Sequence, residues 1–144
     1  MQKDFFKLES VQQTGAAMKR LAWDYRQDMA PYQLWSFQRV FDKIKSIPYR
    51  FDLSGIETLQ RPAYTMRQSG DGGDCDCKAI CLLAYCYLNK IPAKIMALAR
   101  RATMELHHVI LYCKIEGEWM PADPTYPHNS LGRLNCDYGK KVEI

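Results

Sequence analysis

The sequence predicts an α+β domain in which helices come first, one buried helix follows, and an antiparallel sheet comes last. Three features predict this class: apolar residues at helical spacing up to about residue 45, an almost uniformly apolar segment after a glycine-rich loop, and β-forming segments joined by a two-residue turn. Helices grouped ahead of strands are typical of the α+β class. The 144 residues suit a single domain, residues 1–144, built around one core.

Two N-terminal helices are predicted within about residues 10–45. The first runs from about Ser10 to Met29, and the second begins at Pro31, because proline is favoured in the first turn of a helix. The apolar residues on their inner faces are Val11, Met18, Leu21, Ala22, Tyr25, Met29, Leu34, Phe37, Val40, Phe41 and Ile44. Core packing accounts for all of these side chains, and we assign them no chemistry.

The region from Ser46 to Asp74 is punctuated by proline and glycine, which indicates loops. A short helical turn is predicted from Ala63 to Gln68. Residues 70–74 read Gly-Asp-Gly-Gly-Asp and predict a flexible or tightly bent loop. This loop is not a phosphate-binding loop, because no Gly-Lys-Ser or Gly-Lys-Thr follows it.

A strong helix is predicted from Cys75 to Leu88. Its apolar residues cover nearly the whole circumference, and a helix of that kind is usually buried in the core. Asn89 is a suitable C-terminal stop for it.

Three strands are predicted after this helix, at Ala93–Arg100, His107–Ile115 and Glu118–Ala122. Glu116 and Gly117 form the turn between the last two strands. The tail after Tyr126 is rich in Asn, Gly and Pro, and no element is assigned to it. We place the core that carries the chemistry at about residues 49–126.

The two-residue turn fixes which side chains meet across the predicted hairpin. It places Ile110 opposite Asp123. Because side chains alternate between faces, His108 shares the face of Ile110 and is a diagonal neighbour of Asp123, about 7–8 Å away at the backbone. His107 should then point to the opposite face. A three-residue turn would reverse these assignments.

Charge and hydropathy disfavour two kinds of partner. The formal net charge is +4, and basic residues occur at most as pairs such as Arg100-Arg101, whereas nucleic-acid binders usually carry a dense basic stripe. No apolar run approaches the length of about 20 residues that spans a bilayer, and no signal peptide is recognised at the start of the sequence. We therefore expect a cytoplasmic protein with no nucleic-acid or membrane partner, and the sequence leaves its oligomeric state open.

Six cysteines raise the question of disulfides or metal. Their spacing does not suit a secreted disulfide scaffold, so reduced and mostly buried thiols are expected. A zinc site is an alternative, since cysteines and two adjacent histidines are ligand types, but no Cys-x-x-Cys pair occurs. The sequence thus indicates no metal and no cofactor. The cysteines are Cys75, Cys77, Cys81, Cys86, Cys113 and Cys136.

Cys75 stands out because it lies where the glycine-rich loop meets the start of the buried helix. Unpaired N–H groups and the helix dipole favour negative charge there, and therefore favour a thiolate. Such a nucleophile needs a base, and His108 is the histidine that the register places beside a carboxylate. Cys75 would then attack a carbonyl, His108 would move the proton, and Asp123 would orient the imidazole.

Three segments in this order resemble the transglutaminase-like cysteine enzymes, small phage or bacterial members included. Residues 73–79, Gly-Asp-Cys-Asp-Cys-Lys-Ala, resemble the start of their active-site helix. His108 opens a segment similar to their His-led strand, and residues 119–125, Trp-Met-Pro-Ala-Asp-Pro-Thr, resemble their Trp-x-x-x-Asp-Pro-Thr ending. The upstream pair Arg61-Pro62 is similar to an Arg-Thr-Pro segment of phage-type members.

The resemblance implies a papain-like core in which a helix bearing Cys75 packs on an antiparallel sheet bearing His108 and Asp123. It implies acyl transfer or amide hydrolysis through a thioester, by a transglutaminase-like enzyme or a cysteine peptidase, on a protein or peptide with amide groups. Such enzymes cross-link, hydrolyse or deamidate, and fold resemblance does not choose among these reactions. A non-catalytic binding or phage-assembly module with the same fold is the alternative.

Two positions depart from this resemblance or extend it. Cys77 stands where the family usually has a second Asp, and we interpret it as a simple replacement that leaves the triad intact. For the oxyanion, the backbone N–H of Cys75 is the expected donor. Gln68 is a candidate side-chain donor, although a solvated glutamine is the simpler explanation.

Overall fold

Helices precede strands along the chain, and the α+β class is confirmed. The structure is a computed structural model that describes residues 8–50, 59–67 and 72–144. Its helices are α1 (Leu8–Asp24), a 3-10 helix (Arg26–Tyr32), α2 (Phe37–Lys45), α3 (Pro62–Met66) and α4 (Cys75–Leu88). Its strands are β1 (Ala93–Arg100), β2 (Leu106–Ile115), β3 (Glu118–Ala122) and β4 (Tyr138–Glu143). None of the helices within these ranges is both long and apolar enough to cross a membrane.

The first helix was predicted to end at Met29 but ends at Asp24, because a 3-10 helix begins at Arg26 and includes Met29. The carboxylate of Asp28 in this segment forms a two-point ion pair with the Arg61 guanidinium, with N–O distances of 2.9 and 2.8 Å. It also accepts a hydrogen bond from the Ala63 backbone N–H at 3.0 Å. These contacts fix the 3-10 helix against α3, a tertiary constraint that the helical spacing does not reveal.

The second helix begins later than predicted. It starts at Phe37, and the Ser36 hydroxyl caps it by accepting a hydrogen bond from the Arg39 N–H at 3.2 Å. Pro31 lies inside the 3-10 helix instead. Leu34, which was predicted to face the core, is 99% exposed.

Helix α4 has the predicted bounds and lies at the centre of the molecule. Every residue from Cys75 to Cys86 is buried, and α1, α2, α3, the 3-10 helix and β2 all contact it. The Asp74 carboxylate caps its start by accepting a hydrogen bond from the Cys77 N–H at 3.1 Å. Asn89 ends it, as predicted.

The four strands form one antiparallel sheet in the order β3-β2-β1-β4. The predicted β2–β3 register is confirmed, since Ile115 pairs with Glu118 and Leu111 pairs with Ala122. Glu116 and Gly117 form the two-residue turn, with φ values of 51° and 82°. Two positive φ angles match the twist of a tight hairpin, and glycine adopts the second at little cost.

Strand β4 was not predicted. It pairs with β1 along the edge opposite β3, and the Ile144 N–H extends the pairing with a 2.9 Å hydrogen bond to the Ile95 carbonyl. The sheet therefore extends beyond the core predicted at residues 49–126. The sequence of β4, Tyr-Gly-Lys-Lys-Val-Glu, lacks the alternation of apolar and polar residues that identifies a half-buried strand.

The two faces of the sheet pack against different neighbours. One face joins α4 in the main core through Ile95, Ala97, Ala99, Val109, Leu111, Cys113 and Ala122. The other face carries a smaller cluster of Leu98, Ile110 and Tyr138, with Met96, Tyr112 and Leu134 packed against it.

A β-bulge interrupts the alternation at the start of β2. His108 keeps the regular pairing with β1, but Ala99 pairs with Leu106, so His107 is an extra residue. The His107 ring lies 6.4 Å from the His108 ring and 6.3 Å from the Tyr138 ring. The prediction that His107 points to the opposite face is therefore wrong, because a bulge breaks the period of two.

Candidate active site

Cys75 is the first residue of α4, and it is only 5% exposed. Its thiol donates a weak hydrogen bond to the Asp76 carboxylate, with 3.6 Å between Sγ and Oδ1. The N–H groups of a first helical turn carry the positive end of the helix dipole. The predicted nucleophile therefore lies at the helix start, as the sequence indicated.

The backbone before Cys75 is held by a parallel bridge between Gly73 and Tyr49. The Gly73 N–H donates to the Pro48 carbonyl at 3.2 Å, and the Arg50 N–H donates to the Gly73 carbonyl at 3.0 Å. A Cβ atom at residue 73 would lie 2.6 Å from the Cys77 Cβ. Only glycine therefore fits beside the first turn of α4 without a shift of the chain.

His108 and Asp123 form a buried pair, as the register predicted. The His108 Nε2 atom lies 2.8 Å from the Asp123 Oδ2 atom, and the two side chains are 4% and 0% exposed. His108 lies on the sheet face of Leu98 and Ile110, beside the point where β3 ends. A carboxylate in such contact with a histidine fixes the orientation of the ring.

The surroundings of Asp123 favour its ionised form. Burial alone would raise the pKa of Asp123, but the hydrogen bond and charge of His108 and the Thr125 N–H at 3.1 Å lower it below its usual value. An ionised carboxylate only accepts hydrogen bonds, so the proton of the neutral ring belongs on Nε2. The basic nitrogen of His108 is then Nδ1.

Two tyrosine rings lie close to the His108 ring. The Tyr126 ring centroid lies 5.5 Å from that of His108, and the Tyr138 ring stacks at 6.1 Å with an interplanar angle of 19°. Burial raises the pKa of Tyr126, and the charges of Asp123 and Cys75 raise it further. The Tyr126 hydroxyl is therefore within electrostatic reach of both the helix start and the His–Asp pair.

Lys78 connects α4 to the loop that follows Asp123. Its ammonium group is buried inside the protein, where Nζ donates to the Ile47 carbonyl at 2.6 Å and to the Thr125 carbonyl at 3.5 Å. Burial lowers the pKa of Lys78, and the charge of Asp123 opposes this shift. Asn129 holds the same loop from within, because its amide donates to the Asp123 carbonyl at 3.1 Å.

Sequence reasoning missed these supporting residues. Tyr138 belongs to the unassigned tail, and a lysine inside a buried helix looks like one exposed position in an otherwise apolar pattern. A signal was present in Lys78, since an uncompensated charge in an all-round apolar helix requires buried partners. The residues missed are Lys78, Tyr126, Asn129 and Tyr138.

Cys77 is buried, and its surroundings favour the neutral thiol. Burial, followed by the charge of Asp74, raises its pKa to about 12.

All six cysteines are free thiols, and Cys136 is the exposed one. Within the described ranges, no group of three or more His, Cys, Asp or Glu side chains is arranged to hold a metal ion. The zinc alternative therefore gains no support from the geometry.

Two other candidates have different outcomes. Arg61 acts in the structure as the ion-pair partner of Asp28, and its guanidinium also lies 4.0 Å from the Tyr25 ring centroid. Gln68, the candidate oxyanion donor, lies outside the described residues. The direct contact between Cys75 and His108 remains a prediction.

No protein-family model matches the chain, and no curated protein matches it either. Among solved structures, the chain is similar to a "Putative Cysteine Protease" from Cytophaga hutchinsonii, with 20% sequence identity and a TM-score of 0.41. The similarity covers 82% of this chain and 40% of that one. We therefore infer function from the side chains of the site and not from this similarity.

Proposed function

We propose that the protein is a thiol enzyme that hydrolyses amide bonds or transfers their acyl groups. Cys75 is the nucleophile, His108 is the base, and the Asp123 carboxylate orients the imidazole. The observation that carries this proposal is the buried 2.8 Å contact between His108 Nε2 and Asp123 Oδ2. It leaves Nδ1 as the basic nitrogen, which is then available to accept the Cys75 proton.

The proposal requires contact between the Cys75 sulfur and His108 Nδ1 beside the part of β2 that extends past the end of β3. Two observations support a contact at this place. Lys78, one turn along α4, bonds the loop after Asp123. Tyr126 packs on His108, and the charge of Cys75 acts on its hydroxyl.

In the reaction, the Cys75 thiol gives its proton to His108 Nδ1, and the thiolate attacks the carbonyl carbon of an amide. The tetrahedral oxyanion lies near the N–H groups at the start of α4, which stabilise it. His108 then returns the proton to the leaving amine as the C–N bond breaks, and a thioester remains on Cys75. Water or another amine then attacks the thioester and gives a proton to His108 Nδ1, the C–S bond breaks, and His108 returns the proton to the Cys75 thiolate. Attack by water gives hydrolysis or deamidation, and attack by an amine gives transfer.

Mass spectrometry of a panel of glutamine- and amide-containing peptides, incubated with the full chain, tests this proposal. Deamidation adds about 1 Da to a peptide, cleavage splits it, and cross-linking joins it to an amine. We expect one of these changes with the wild type and none with Cys75→Ala, because no other group forms the thioester. The matched control is Cys136→Ser, which removes an exposed thiol and should retain activity. Turnover that survives Cys75→Ala would refute the proposal.

A further inference from the structure

A cavity of about 220 Å³ lies at the connection between β1 and β2. It is lined by Arg100, Thr103, Glu105 and His107. The connection is ordered by a 2.8 Å hydrogen bond from the Met104 N–H to the Arg100 carbonyl. The Glu105 N–H also donates to the Thr103 hydroxyl at 3.3 Å. Hydrogen bonds within the connection therefore hold the loop that carries these residues, and all four are of polar or charged types.

The cavity adjoins the candidate active site. Its wall residue His107 places its ring 6.4 Å from the ring of His108, and both rings pack near Tyr138. The positive charge of Arg100 also acts on the Tyr126 hydroxyl, which feels the charges of Cys75 and Asp123. Arg100 is thus close enough to the candidate site for its charge to act on Tyr126.

Arg100 differs from the arginine that follows it. Arg101 forms an ion pair with Asp137, with 2.9 Å between Nε and Oδ2. Arg100 is exposed and forms no ion pair with any residue of the described ranges, Glu105 included. A guanidinium of this kind, at a cavity wall beside a catalytic histidine, is suited to bind a carboxylate through two parallel hydrogen bonds.

We propose that this cavity binds a carboxylate of the substrate through Arg100, so that the preferred substrate is an amide with a carboxylate close to the scissile bond. This inference rests on the proposed function of Cys75 and His108. The carboxylate comes either from an acidic side chain or from a free C-terminus, since the chemistry of recognition is the same. Glu105 faces the same cavity and weakens the binding of an anion by repulsion.

Binding of three small probes to the full chain carrying Cys75→Ala tests the inference without turnover. The probes are N-acetylglycylglutamate amide, N-acetylglycylglycine with its free C-terminus, and neutral N-acetylglycylglutamine amide. Dissociation constants are measured by NMR titration of the ¹⁵N-labelled protein. We expect at least one carboxylate probe to bind about tenfold more tightly than the neutral probe, because a charge-assisted hydrogen bond is stronger than a neutral one. The better of the two identifies the source of the carboxylate.

Two matched variants in the same background separate a built site from general surface charge. Arg100→Gln should remove the preference for carboxylate, whereas Arg101→Gln, with the same loss of charge one residue away, should keep it. Glu105→Gln should strengthen binding of the carboxylate probes. Equal binding of all three probes, equal losses in the two arginine variants, or weaker binding in Glu105→Gln would overturn the inference.

The outcome is independent of the test of catalysis. A carboxylate preference that depends on Arg100 would support the cavity even if no peptide is turned over by the wild type. Conversely, turnover that depends on Cys75 but shows the same KM in Arg100→Gln and wild type would support the enzyme and refute the cavity.

Discussion

Two local rules position Cys75, His108 and Asp123. The Asp74 cap fixes where α4 begins and hence where the Cys75 thiol lies. The two-residue turn at Gly117 fixes the register that brings His108 to Asp123. The position of the Cys75 thiol at a helix start and the buried His–Asp contact are thus consequences of ordinary capping and hairpin geometry.

The carboxylate of Asp123 should matter for activity and for stability in acid. Asp123→Asn should retain the fold but lower kcat less than Cys75→Ala does, because it affects only the orientation and tautomer of His108.

Because the folded-state pKa of Asp123 is lowered, the ionised carboxylate stabilises the folded protein above the unfolded pKa of about 3.9, and this stabilisation is lost as the pH falls through the folded value. The wild type should therefore be about 1–3 kcal/mol more stable than Asp123→Asn at pH 7, and the difference should shrink below about pH 4. Chemical denaturation across this pH range measures it.

Asp137→Asn is the matched control for this change. Its carboxylate also has a lowered pKa, through the hydrogen bond to Arg101, but it lies on the surface. An exposed ion pair contributes little to the stability of the fold. The kcat of Asp137→Asn should therefore match that of the wild type. Equal loss of activity in both variants would mean that Asp123 has no special role.

Residue positions that obey a simple period could be predicted from the sequence. Strand alternation and a two-residue turn were enough to pair His108 with Asp123. The same alternation failed for His107, because a bulge is an insertion into the period and leaves no clear mark in the sequence. Tyr138 could not be predicted to stack on His108, since its strand joins the sheet only through pairing with β1.

Among the elements, α4 is the one most fully specified by its own sequence. Its apolar circumference predicts burial, and both of its predicted ends are confirmed. The helix that was predicted from Pro31 shows the opposite case. Apolar spacing continues through this region, but the Ser36 cap and the packing of the 3-10 helix decide where the helix begins.

Lys78 should be the main polar link between α4 and the loop after Asp123. Lys78→Met keeps the length and apolar stem of the side chain but leaves the Ile47 and Thr125 carbonyls without this donor. We expect a loss of about 1–3 kcal/mol in the free energy of unfolding, measured by urea denaturation. Lys19→Met on the exposed surface of α1 is the control and should change it by less than about 0.5 kcal/mol. An equally stable Lys78→Met variant would show that the buried ammonium contributes nothing net.

For the whole molecule, the predicted arrangement of a cysteine-bearing helix on an antiparallel sheet is confirmed, with helices before it. The sheet is wider than predicted because β4 pairs with β1, and the side chains of β4 lack the alternation from which a strand is predicted. The catalytic centre is proposed at the point where helix start, sheet edge and the loop after β3 meet. Long-range contacts of this kind, such as Lys78 to Thr125, cannot be read from local patterns.

The most direct test of the triad is the rate at which iodoacetamide alkylates Cys75, measured by peptide mass spectrometry between pH 5 and 9. The protein carries Cys136→Ser, so that the exposed thiol does not compete. Both thiols are buried, but Cys75 should react faster than Cys77 at every pH, because the helix start stabilises the Cys75 thiolate whereas burial and the charge of Asp74 raise the pKa of Cys77. His108→Ala should slow the reaction of Cys75 near neutral pH, because the imidazolium also stabilises its thiolate. Alkylation of Cys75 that is no faster than that of Cys77, or that is unchanged by His108→Ala, would contradict the triad.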